Sequence, residues 1–325
     1  MSRAAAYTVV TVAYRSRRVL TAMLQSIPPP VPVIVVDNSA DQEDITGIVR
    51  ARPMTSYIDA GGNVGFGRAC NMAARAASQP LLAFVNPDTE VDATVLHELA
   101  DEVIRRPQCS SCGPLLVGVD GRVRAGSGGW LPTPKRAIVH ASGLFHLLPL
   151  EGISIGPCKS GSVAVEWIAG TCLMIRRDVF LALDGFASRY FLYQEDMDLG
   201  RRLHVRGYQQ LLRCDLRVSH VAGTSSDDQD VRHLAWLRAS ALVDYVFATS
   251  GPVTSRIICS ILAMGAVLRA GYEILRGRTR RLSEFGTHVI TLSRPARTLR
   301  MVQAERRRRN TPVPAAPVDG ELVNG

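Results

Sequence analysis

Short runs of aliphatic and β-branched residues alternate with helical patterns through the first third of this chain. Three of these runs, Tyr7–Ala13, 33–36 and Leu81–Val85, are bounded by polar residues, as buried strands are. The helical patterns lie between and after them, at residues 16–27, 41–50, 68–77 and 91–105. Such alternation is typical of a doubly wound, mostly parallel sheet with helices on both faces. The sequence therefore predicts an α/β fold.

Polar residues stand at the ends of several of these strands. Asp37 follows the second strand directly, Asp88 comes shortly after another, and His220 ends a later strand-like run. Ligands of doubly wound sheets bind beyond the carboxyl ends of the strands, so these three residues are candidates for a site. Taken alone, Asp37 with Asn38 is equally typical of an Asx turn, and a single histidine is more often structural.

The stretch 185–202, GFASRYFLYQEDMDLGRR, combines an aromatic run with three carboxylates, Glu195, Asp196 and Asp198. Burying an unpaired carboxylate is costly, so acids beside aromatic residues indicate a cleft in which they bind a cation or a substrate hydroxyl. The alternative is an ordinary helix N-terminus, because the helix dipole favours acids in the first turn. The segment by itself does not decide between the two interpretations.

Positive charge is concentrated near the C-terminus. The chain has 325 residues, enough for one large α/β domain and an appendage, and a net charge of +9. Residues 255–309 hold 13 arginines and three acids, so the remainder is close to neutral. Apolar residues interleave with these arginines, which favours an anionic membrane surface over nucleic acid as the partner. The apolar run at 257–267 covers only about 11 residues, too few to span a bilayer, and predicts an interfacial or core helix.

The seven cysteines are scattered along the chain. An odd number in a chain of this length argues against a disulfide framework and favours a reducing compartment. Cys109 and Cys112 have metal or redox spacing, but no second pair accompanies them, so we expect neither chemistry there. The first ten residues run directly into a strand, and we expect no secretory signal.

A glycine-rich turn at 61–67, GGNVGFG, precedes an alanine-rich helix. Backbone amides in such a turn, together with the positive end of the helix dipole, suit a phosphate group. A dinucleotide fingerprint requires G-x-G-x-x-G directly after the first strand. This turn has neither that spacing nor that position, which argues against a dinucleotide-dependent oxidoreductase.

Seven motifs follow one another in the sequence: VVTVAYRS, VVDNS, GNVGFGRACN, FVNPDTEV, WIAGTCLMIRRDVF, GFASRYFLYQEDMDLGRR and VSHVAGTS. In this order they resemble the family 2 glycosyltransferases of the GT-A fold, and they are most similar to the bacterial rhamnosyltransferase-like branch. The resemblance covers roughly residues 7–226. Each motif alone is weak, whereas the ordered set is specific.

The resemblance implies a nucleotide-sugar site at the strand ends. Its members would be Thr11, Tyr14, Asp37, Gly62, Asn63, Gly65, Asn86 and Asp88. Thr11 and Tyr14, at the end of the first strand, would edge the base pocket, and Asp37 would accept a hydrogen bond from the pyrimidine N–H. The donor-sugar and acceptor pocket would be shaped by Trp167, Gly170 and Thr171, although Trp167 suits the core equally well.

The same resemblance implies a divalent cation, Mg2+ or Mn2+, that would neutralise charge on a diphosphate leaving group. Asp88 would be its principal carboxylate ligand, and His220 matches the histidine that completes the family's metal site. Asn86 stands where the family has the first acid of its metal motif, which puts tight metal binding in doubt.

Catalysis, by the same resemblance, would depend on the paired acids of the aromatic stretch. Asp196 would be the base that takes the proton of the acceptor hydroxyl, and Glu195 would orient acceptor or sugar. Asp198, two residues further along a helix, points elsewhere, and we expect it either to support the site residues or to be structural.

These inferences together predict an inverting, metal-dependent glycosyltransferase. It would move a sugar, L-rhamnose by family likeness, from a dTDP- or UDP-sugar to a glycan or polyprenyl-linked acceptor in cell-envelope polysaccharide synthesis. We expect a GT-A domain at 1–230, a helical, Arg-rich, membrane-associating segment at 231–305 and a disordered tail at 306–325. The enzyme would be cytoplasmic, peripheral at the inner face of the cell membrane, with no nucleic-acid partner. Because Asn86 replaces an acid, the alternative is a non-catalytic nucleotide- or glycan-binding module that assists a membrane assembly enzyme.

Overall fold

The computed structural model describes residues 6–39, 44–118, 120–124, 126–158, 160–220, 228–278 and 281–310. The strands are β1 Tyr7–Ala13, β2 Val33–Asp37, β3 Thr55–Asp59, β4 Leu81–Val85, β5 Thr89–Glu90, β6 Cys109–Val117, β7 Gly128–Gly129, β8 Ser162–Val165, β9 Trp167–Ile168, β10 Cys172–Arg176 and β11 Gln209–His220. The helices are α1 Arg17–Ser26, α2 Thr46–Ala51, α3 Phe66–Ala76, α4 Ala93–Arg105, α5 Pro134–Ser142, α6 Arg177–Ala182, α7 Glu195–Val205, α8 Asp228–Thr249, α9 Pro252–Leu275, α10 Leu282–Ser293 and α11 Pro295–Asn310. A 3-10 turn, Leu144–His146, follows α5.

Within the described residues, nine strands form the main sheet in the order β3-β2-β1-β4-β10-β6-β11-β5, with β8 beside β11. Strands β1 to β4 run parallel. Strand β10 is antiparallel to both β4 and β6, so β6 and its parallel neighbour β11 run in the direction of the first four. The mostly parallel sheet that the sequence predicted is confirmed.

Helices cover both faces of this sheet because successive strand residues point to opposite sides. Val9 belongs to a buried cluster with Leu20 of α1 and Leu96 of α4. Its neighbour Val10 belongs to a second cluster with Ala69 of α3 and Phe180 of α6. The doubly wound arrangement is therefore also confirmed, and it leaves the strand ends as the place where polar loops meet.

The sequence pattern is misleading in two later segments. Residues 165–176 read as one buried strand, VEWIAGTCLMIR, but in the structure Val165 ends β8 and a turn at 169–171 separates β9 from β10. Helix α5 lies between residues 109 and 164, where the loose sequence pattern indicates short strands and a long loop. It begins after Thr133, whose side chain accepts a hydrogen bond from the Arg136 amide, and ends at Gly143, which has a φ of +79°. A helix of only nine residues gives a weak apolar periodicity. Its capping residues, Thr133 and Gly143, are the signal that the sequence offers for it.

The absence of disulfides predicted from the cysteine count is wrong for one pair. Cys158 and Cys214 form a disulfide across 56 residues of sequence, with Cα atoms 5.6 Å apart. Cysteine number and spacing do not reveal which residues a strand pairing brings together, and Cys214 lies on β11 directly beside the loop that precedes β8. Cys109 and Cys112 are buried in β6, where burial raises the pKa of both thiols.

The C-terminal segment is helical from α8 to α11. The apolar run predicted to cover about 11 residues lies within α9, which has 24 residues and is, among the described helices, the one long and apolar enough to cross a bilayer. That length prediction is corrected, because the helix extends well beyond the uninterrupted run. Helix α11 reaches Asn310, so the first residues of the predicted tail are helical, while 311–325 lie outside the described residues. The domain boundaries stay predictions.

Candidate active site

The glycine-rich turn is held against the end of β2 by two asparagine side chains. Asn38 Nδ2 donates to Asn63 Oδ1 over 3.0 Å, and Asn38 Oδ1 accepts the Val64 N–H over 2.8 Å. Gly61 and Gly62 have φ values of +69° and +137°, with open space where a Cβ would lie. The turn therefore presents backbone to solvent beyond the strand end, as an anion-binding loop requires.

Gly65 joins this turn to the aromatic stretch. Its φ is +90°, and the next amide, that of Phe66, donates to the Phe191 carbonyl over 3.0 Å. A Cβ on Gly65 would lie 2.5 Å from the same carbonyl oxygen, which no real side chain tolerates. The start of α3 and the segment before the paired acids are consequently in direct contact.

Replacing Gly65 by alanine tests this contact. We expect Gly65→Ala to lower the free energy of unfolding by about 2 kcal/mol or more, because both the positive φ and the carbonyl contact oppose a Cβ. Gly47→Ala is the matched control, since Gly47 lies in α2 with nothing within 4 Å of its Cβ position. Urea unfolding of both variants measures the difference, and equal midpoints would contradict the contact.

The paired acids begin α7. Asp196 Oδ2 accepts the Gly170 N–H over 3.2 Å, and Oδ1 accepts the Met197 N–H over 2.7 Å. Glu195 is buried, and its Oε2 has no hydrogen-bond partner among the described residues. Gln194, the residue before them, has a φ of +69°, a strained conformation for a side chain that is not glycine. Strain and an unsatisfied acid at one position are typical of a functional site.

Burial raises the pKa of both acids. The pKa of Glu195 rises to about 8, first because of desolvation and then because of the neighbouring Asp196. Desolvation also raises the pKa of Asp196, although its amide hydrogen bonds oppose the rise. At neutral pH Glu195 therefore carries a proton and can donate a hydrogen bond, while Asp196 is the member of the pair better able to accept one.

The third carboxylate has a structural role, as the sequence predicted. Asp198 Oδ2 lies 2.7 Å from Arg202 Nε, and Arg202 also donates to the carbonyls of Leu183 and Gly185. Asp198 is buried in this arrangement. Its contacts hold α7 against the chain that leads into the aromatic stretch.

Asp88 and His220 come together although 132 positions separate them. His220 Nε2 lies 3.3 Å from Asp88 Oδ1, and both side chains are about one-fifth exposed. The pairing of β11 with β5 places His220 opposite Thr89, the residue after Asp88. The rest of this sequence motif, residues 221–225, lies outside the described residues.

The two acidic positions are joined through the turn between β9 and β10. The Asn86 amide donates to the Thr171 carbonyl over 2.9 Å, and the adjacent Gly170 amide donates to Asp196. Asp88 follows Asn86, the donor of the first of these hydrogen bonds, by two residues. The metal motif, the turn and the paired acids therefore occupy one edge of the sheet.

The residues predicted to edge the base pocket differ in accessibility. Thr11 is the third residue from the end of β1 and is 1% exposed, so its part in the base pocket stays a prediction. Tyr14 is 40% exposed beyond that end. Asp37 is 2% exposed; its carboxylate accepts the Ser39 N–H, as in the Asx turn, and the Tyr57 hydroxyl over 3.0 Å.

Trp167 lies in the core, not in an open pocket. Its side chain is 6% exposed within a buried cluster, and its indole N–H donates to the Ile153 carbonyl over 3.1 Å. Of the two interpretations that the sequence left open, core packing describes its surroundings. Gly170 and Thr171, three and four residues later, are the members of this segment that reach the acids and the metal motif.

Comparison with known proteins gives a family match for the first half of the chain. Residues 8–166, just under half of the 325 residues, match the model of Glycosyl transferase family 2. This segment carries a family 2 glycosyltransferase domain. Over 233 residues it is 28% identical to an N-acetylglucosaminyl-diphospho-decaprenol L-rhamnosyltransferase of Mycobacterium tuberculosis, covering 67% of this chain and 75% of that protein. It is 30% identical over 157 residues to the O-antigen biosynthesis protein RfbC of Myxococcus xanthus, covering 46% of this chain and 12% of RfbC.

The glycosyltransferase domain also resembles solved structures. A mannosyltransferase from Pyrobaculum calidifontis, solved with GDP-Man and Mn2+, superposes with a TM-score of 0.53 at 14% identity, covering 93% of this chain and 85% of that one. GalNAc-T7, solved with UDP, GalNAc and Mn2+, gives 0.50 at 14% identity, covering 84% and 58%. At this identity the likeness concerns the fold, and it confirms the predicted GT-A architecture.

Contacts from the last helix to the glycosyltransferase domain were not predicted. The Arg309 guanidinium lies 3.4 Å from the centroid of the Phe191 ring, and Asn310 Oδ1 accepts a hydrogen bond from Arg68 of α3. Asp244 of α8, which is buried, accepts hydrogen bonds from Arg189 and from Arg306 of α11. No local pattern marks these pairs, because their members are far apart in sequence and each arginine looks like a solvated cation.

The raised pKa of Glu195 predicts that stability depends on pH. Its pKa is about 8 in the folded protein against an ordinary value of 4.5, so the native state binds the proton more tightly. The free energy of unfolding therefore falls as pH rises from about 4.5 to about 8, and this contribution stops changing above that range. Glu195→Gln removes it, so we expect the variant and the wild type to melt alike near pH 5 and the variant to melt a few degrees higher at pH 8.5.

Thermal melts across that pH range test the expectation, with Glu90→Gln, a change at an exposed carboxylate, as the control. A parallel pH profile of wild type and Glu195→Gln would show that Glu195 ionises normally in the folded domain.

Proposed function

We propose that this protein is an inverting glycosyltransferase that transfers L-rhamnose from a dTDP- or UDP-linked donor to a polyprenyl-linked or other glycan acceptor. The product would belong to cell-envelope polysaccharide synthesis, at the cytoplasmic face of the membrane. The sugar and the lipid-linked acceptor are proposed from the name of the mycobacterial relative, an L-rhamnosyltransferase of N-acetylglucosaminyl-diphospho-decaprenol. The site residues and their roles are proposed from the geometry of this chain.

One observation carries the proposal: the hydrogen-bonded path from Asn86 through the Gly170–Thr171 turn to Asp196. In-line displacement requires a base for the incoming hydroxyl and an electrophile for the leaving group on opposite sides of one sugar. The path fixes the metal motif and the acid pair relative to each other at the same sheet edge. A site of this kind supports a single displacement, which inverts the anomeric configuration.

Asp196 is proposed as the base. Two backbone amides orient its carboxylate, and burial raises its pKa, which strengthens it as a proton acceptor. Glu195, whose pKa of about 8 keeps it protonated at neutral pH, is proposed to donate a hydrogen bond to the sugar or acceptor. The exposed backbone of Gly62 and the start of α3 are proposed to lie against the donor phosphates.

The residues at the metal motif fit a divalent cation bound mainly by the substrate. Among the described residues no group of three or more His, Cys, Asp or Glu is arranged to hold a metal. Asp88 and His220 nevertheless offer one oxygen and one nitrogen 3.3 Å apart, and Mg2+ or Mn2+ commonly takes one or two protein ligands with diphosphate oxygens and water completing the shell. When bound, such an ion neutralises charge on the departing diphosphate.

Recognition of a pyrimidine donor is proposed to use Tyr14 and Asp37. Tyr14 is open beyond β1, and Arg15 lies 5.4 Å from its ring, which makes a platform for a base. Asp37 is engaged by Tyr57 and Ser39, but a carboxylate has further lone pairs with which to accept a pyrimidine N–H. The proposal requires that the base approach Asp37 through the space beside Tyr14.

The experiment is a transfer assay with the full chain. It would combine dTDP-L-rhamnose or UDP-hexoses, with and without Mn2+, with a polyprenyl diphosphate that carries N-acetylglucosamine, and NMR would give the anomeric configuration of the product. We expect transfer from one pyrimidine donor with inversion. Nucleotide binding by calorimetry without turnover for any donor and acceptor would instead favour a non-catalytic binding module, and retention of configuration would overturn the single displacement.

A further inference from the structure

One face of α9 is apolar and unpartnered in the described part of the chain. Its exposed apolar residues are Val253, Ile257, Met264, Val267, Leu268, Tyr272, Ile274 and Leu275. The opposite face is buried at Ile258, Cys259, Leu262 and Ala266 and packs against α5, α8 and α10. Since α9 is attached to the protein along its length by one face, it lies on the body, and its other face forms a stripe about seven turns long.

A second exposed apolar group adjoins this stripe. In the segment 138–150, which covers the end of α5 and the 3-10 turn, five side chains are exposed: Ile138, Leu144, Leu147, Leu148 and Leu150. Leu147 is 78% exposed, which is unusual for a leucine in a globular protein. This segment lies within the glycosyltransferase fold, far in sequence from the C-terminal helices.

The segment and the helix are locked together. A Cβ on Gly265 of α9 would lie 2.6 Å from the Ala141 Cβ, so the two helices approach as closely as glycine allows. Arg269 of α9 donates to the His140 carbonyl over 2.7 Å. The end of α5 is therefore fixed against the second half of α9, and the exposed leucines of 144–150 follow that contact within ten residues of chain.

Charge distinguishes between possible occupants of this surface. Exposed arginines stand at both ends of the stripe, Arg256 at the start and Arg276 with Arg278 at the end, and Glu273 is the single acid of α9. A second copy docked face to face around a twofold axis would bring arginines of one helix against those of the other. An anionic lipid surface, by contrast, pairs with arginines at both ends while its acyl chains receive the apolar stripe.

Two of the four arginines at the end of α11 contact the protein, while Arg307 and Arg308 are exposed. Arg306 pairs with buried Asp244, and Arg309 contacts Phe191 and Glu305. These arginines hold the helix to the catalytic loop and are not available to lipid. The membrane-associating segment predicted from the sequence, 231–305, includes α9, whereas Arg306 and Arg309 bind within the protein.

We propose that the outer face of α9 and the segment 138–150 form one lipid-docking surface, which seats the protein on an anionic bilayer with α9 parallel to the membrane plane. This proposal rests on the proposed function in one respect: a polyprenyl-linked acceptor would lie in such a membrane. Two patches from distant parts of the sequence make the surface, so the glycosyltransferase domain itself touches the bilayer.

Vesicle co-sedimentation of the full chain tests the proposal, with vesicles of phosphatidylglycerol and phosphatidylcholine against phosphatidylcholine alone. We expect preference for the anionic vesicles and a loss of about tenfold or more in affinity for each of two double variants. One carries Leu147→Ser with Leu148→Ser, and the other Met264→Ser with Leu268→Ser. Ile104→Ser on α4 is the control, because Ile104 is 50% exposed, much like Leu148 at 47%.

Each other outcome overturns the composite surface. If the Leu147 and Leu148 variant binds vesicles like the wild type, the segment 138–150 takes no part. If light scattering shows that the variants break a dimer while vesicle binding persists, the occupant is a second copy. If Arg307→Ser with Arg308→Ser alone abolishes binding, the Arg-rich end is the membrane contact. Circular dichroism verifies folding of every variant.

Donor hydrolysis in solution separates this proposal from the proposed function. The docking variants lie away from Asp88 and Asp196, so their hydrolysis rate without vesicles should equal that of the wild type. Vesicle binding that follows the expected pattern in a protein without transferase activity would uphold the surface and refute the enzyme. Transferase activity with unchanged vesicle binding in both double variants would uphold the enzyme and refute the lipid-docking surface.

Discussion

Asp196→Asn is expected to reduce the rate of sugar transfer by about 10²–10⁴-fold with little change in the Michaelis constant for the donor. Asparagine is nearly the same size and can still accept the Gly170 N–H, but it takes no proton from an incoming hydroxyl. Since the wild-type carboxylate is buried, the neutral side chain also costs the fold little. Initial rates with saturating donor and acceptor, together with a thermal melt, measure both quantities.

The control for this change is Asp101→Asn, which makes the same substitution at an exposed position on α4. Its rate should match the wild type. If Asp196→Asn retains more than about one-tenth of the wild-type rate while melting normally, the base is another residue, and Glu195→Gln becomes the next variant to measure.

Asp88→Asn is expected to lower transfer by about 10²–10³-fold and to abolish the stabilisation that Mn2+ gives in the presence of a nucleoside diphosphate. The amide keeps the shape of the side chain but provides a much poorer ligand than a carboxylate. His220→Gln should weaken the Mn2+ response in the same direction, because His220 Nε2 lies 3.3 Å from the Asp88 carboxylate. A thermal shift titration with Mn2+ and nucleoside diphosphate measures metal binding independently of turnover.

Asp101→Asn again provides the comparison, since it removes one carboxylate of equal charge without touching the strand ends. An Asp88→Asn protein that is stabilised by Mn2+ as strongly as the wild type would remove Asp88 from the metal site. Loss of activity with a full Mn2+ response would instead place Asp88 in donor orientation.

The alternation of strands and helices could be predicted from the sequence, because strands that are buried on both faces have continuous aliphatic runs, as in Tyr7–Ala13 and Leu81–Val85. The turn at 169–171 could not be predicted from the sequence, because its residues continue an apolar run. The strand is interrupted there only by the contacts of Gly170 and Thr171 with other segments.

Nor did the sequence show what α11 does. Its arginines have the spacing of a solvated or lipid-facing helix, and only the folded chain brings Arg306 to Asp244 and Arg309 to Phe191. Membrane affinity was predicted for residues 231–305, which include α9, from charge and apolar residues in one dimension. Exposure is a three-dimensional property, and it adds the segment 138–150, which no pattern in the sequence marked.

The sequence by itself determined the sheet, its two helical layers and the family likeness, and it supplied the candidate acids, because each of these depends on local periodicity or on motifs of a few residues. Only the tertiary structure decided which of those acids share an edge, which apolar residues remain exposed, and that Cys158 meets Cys214. Such pairings depend on strand register and loop closure across tens to hundreds of residues, and no short stretch of sequence encodes them.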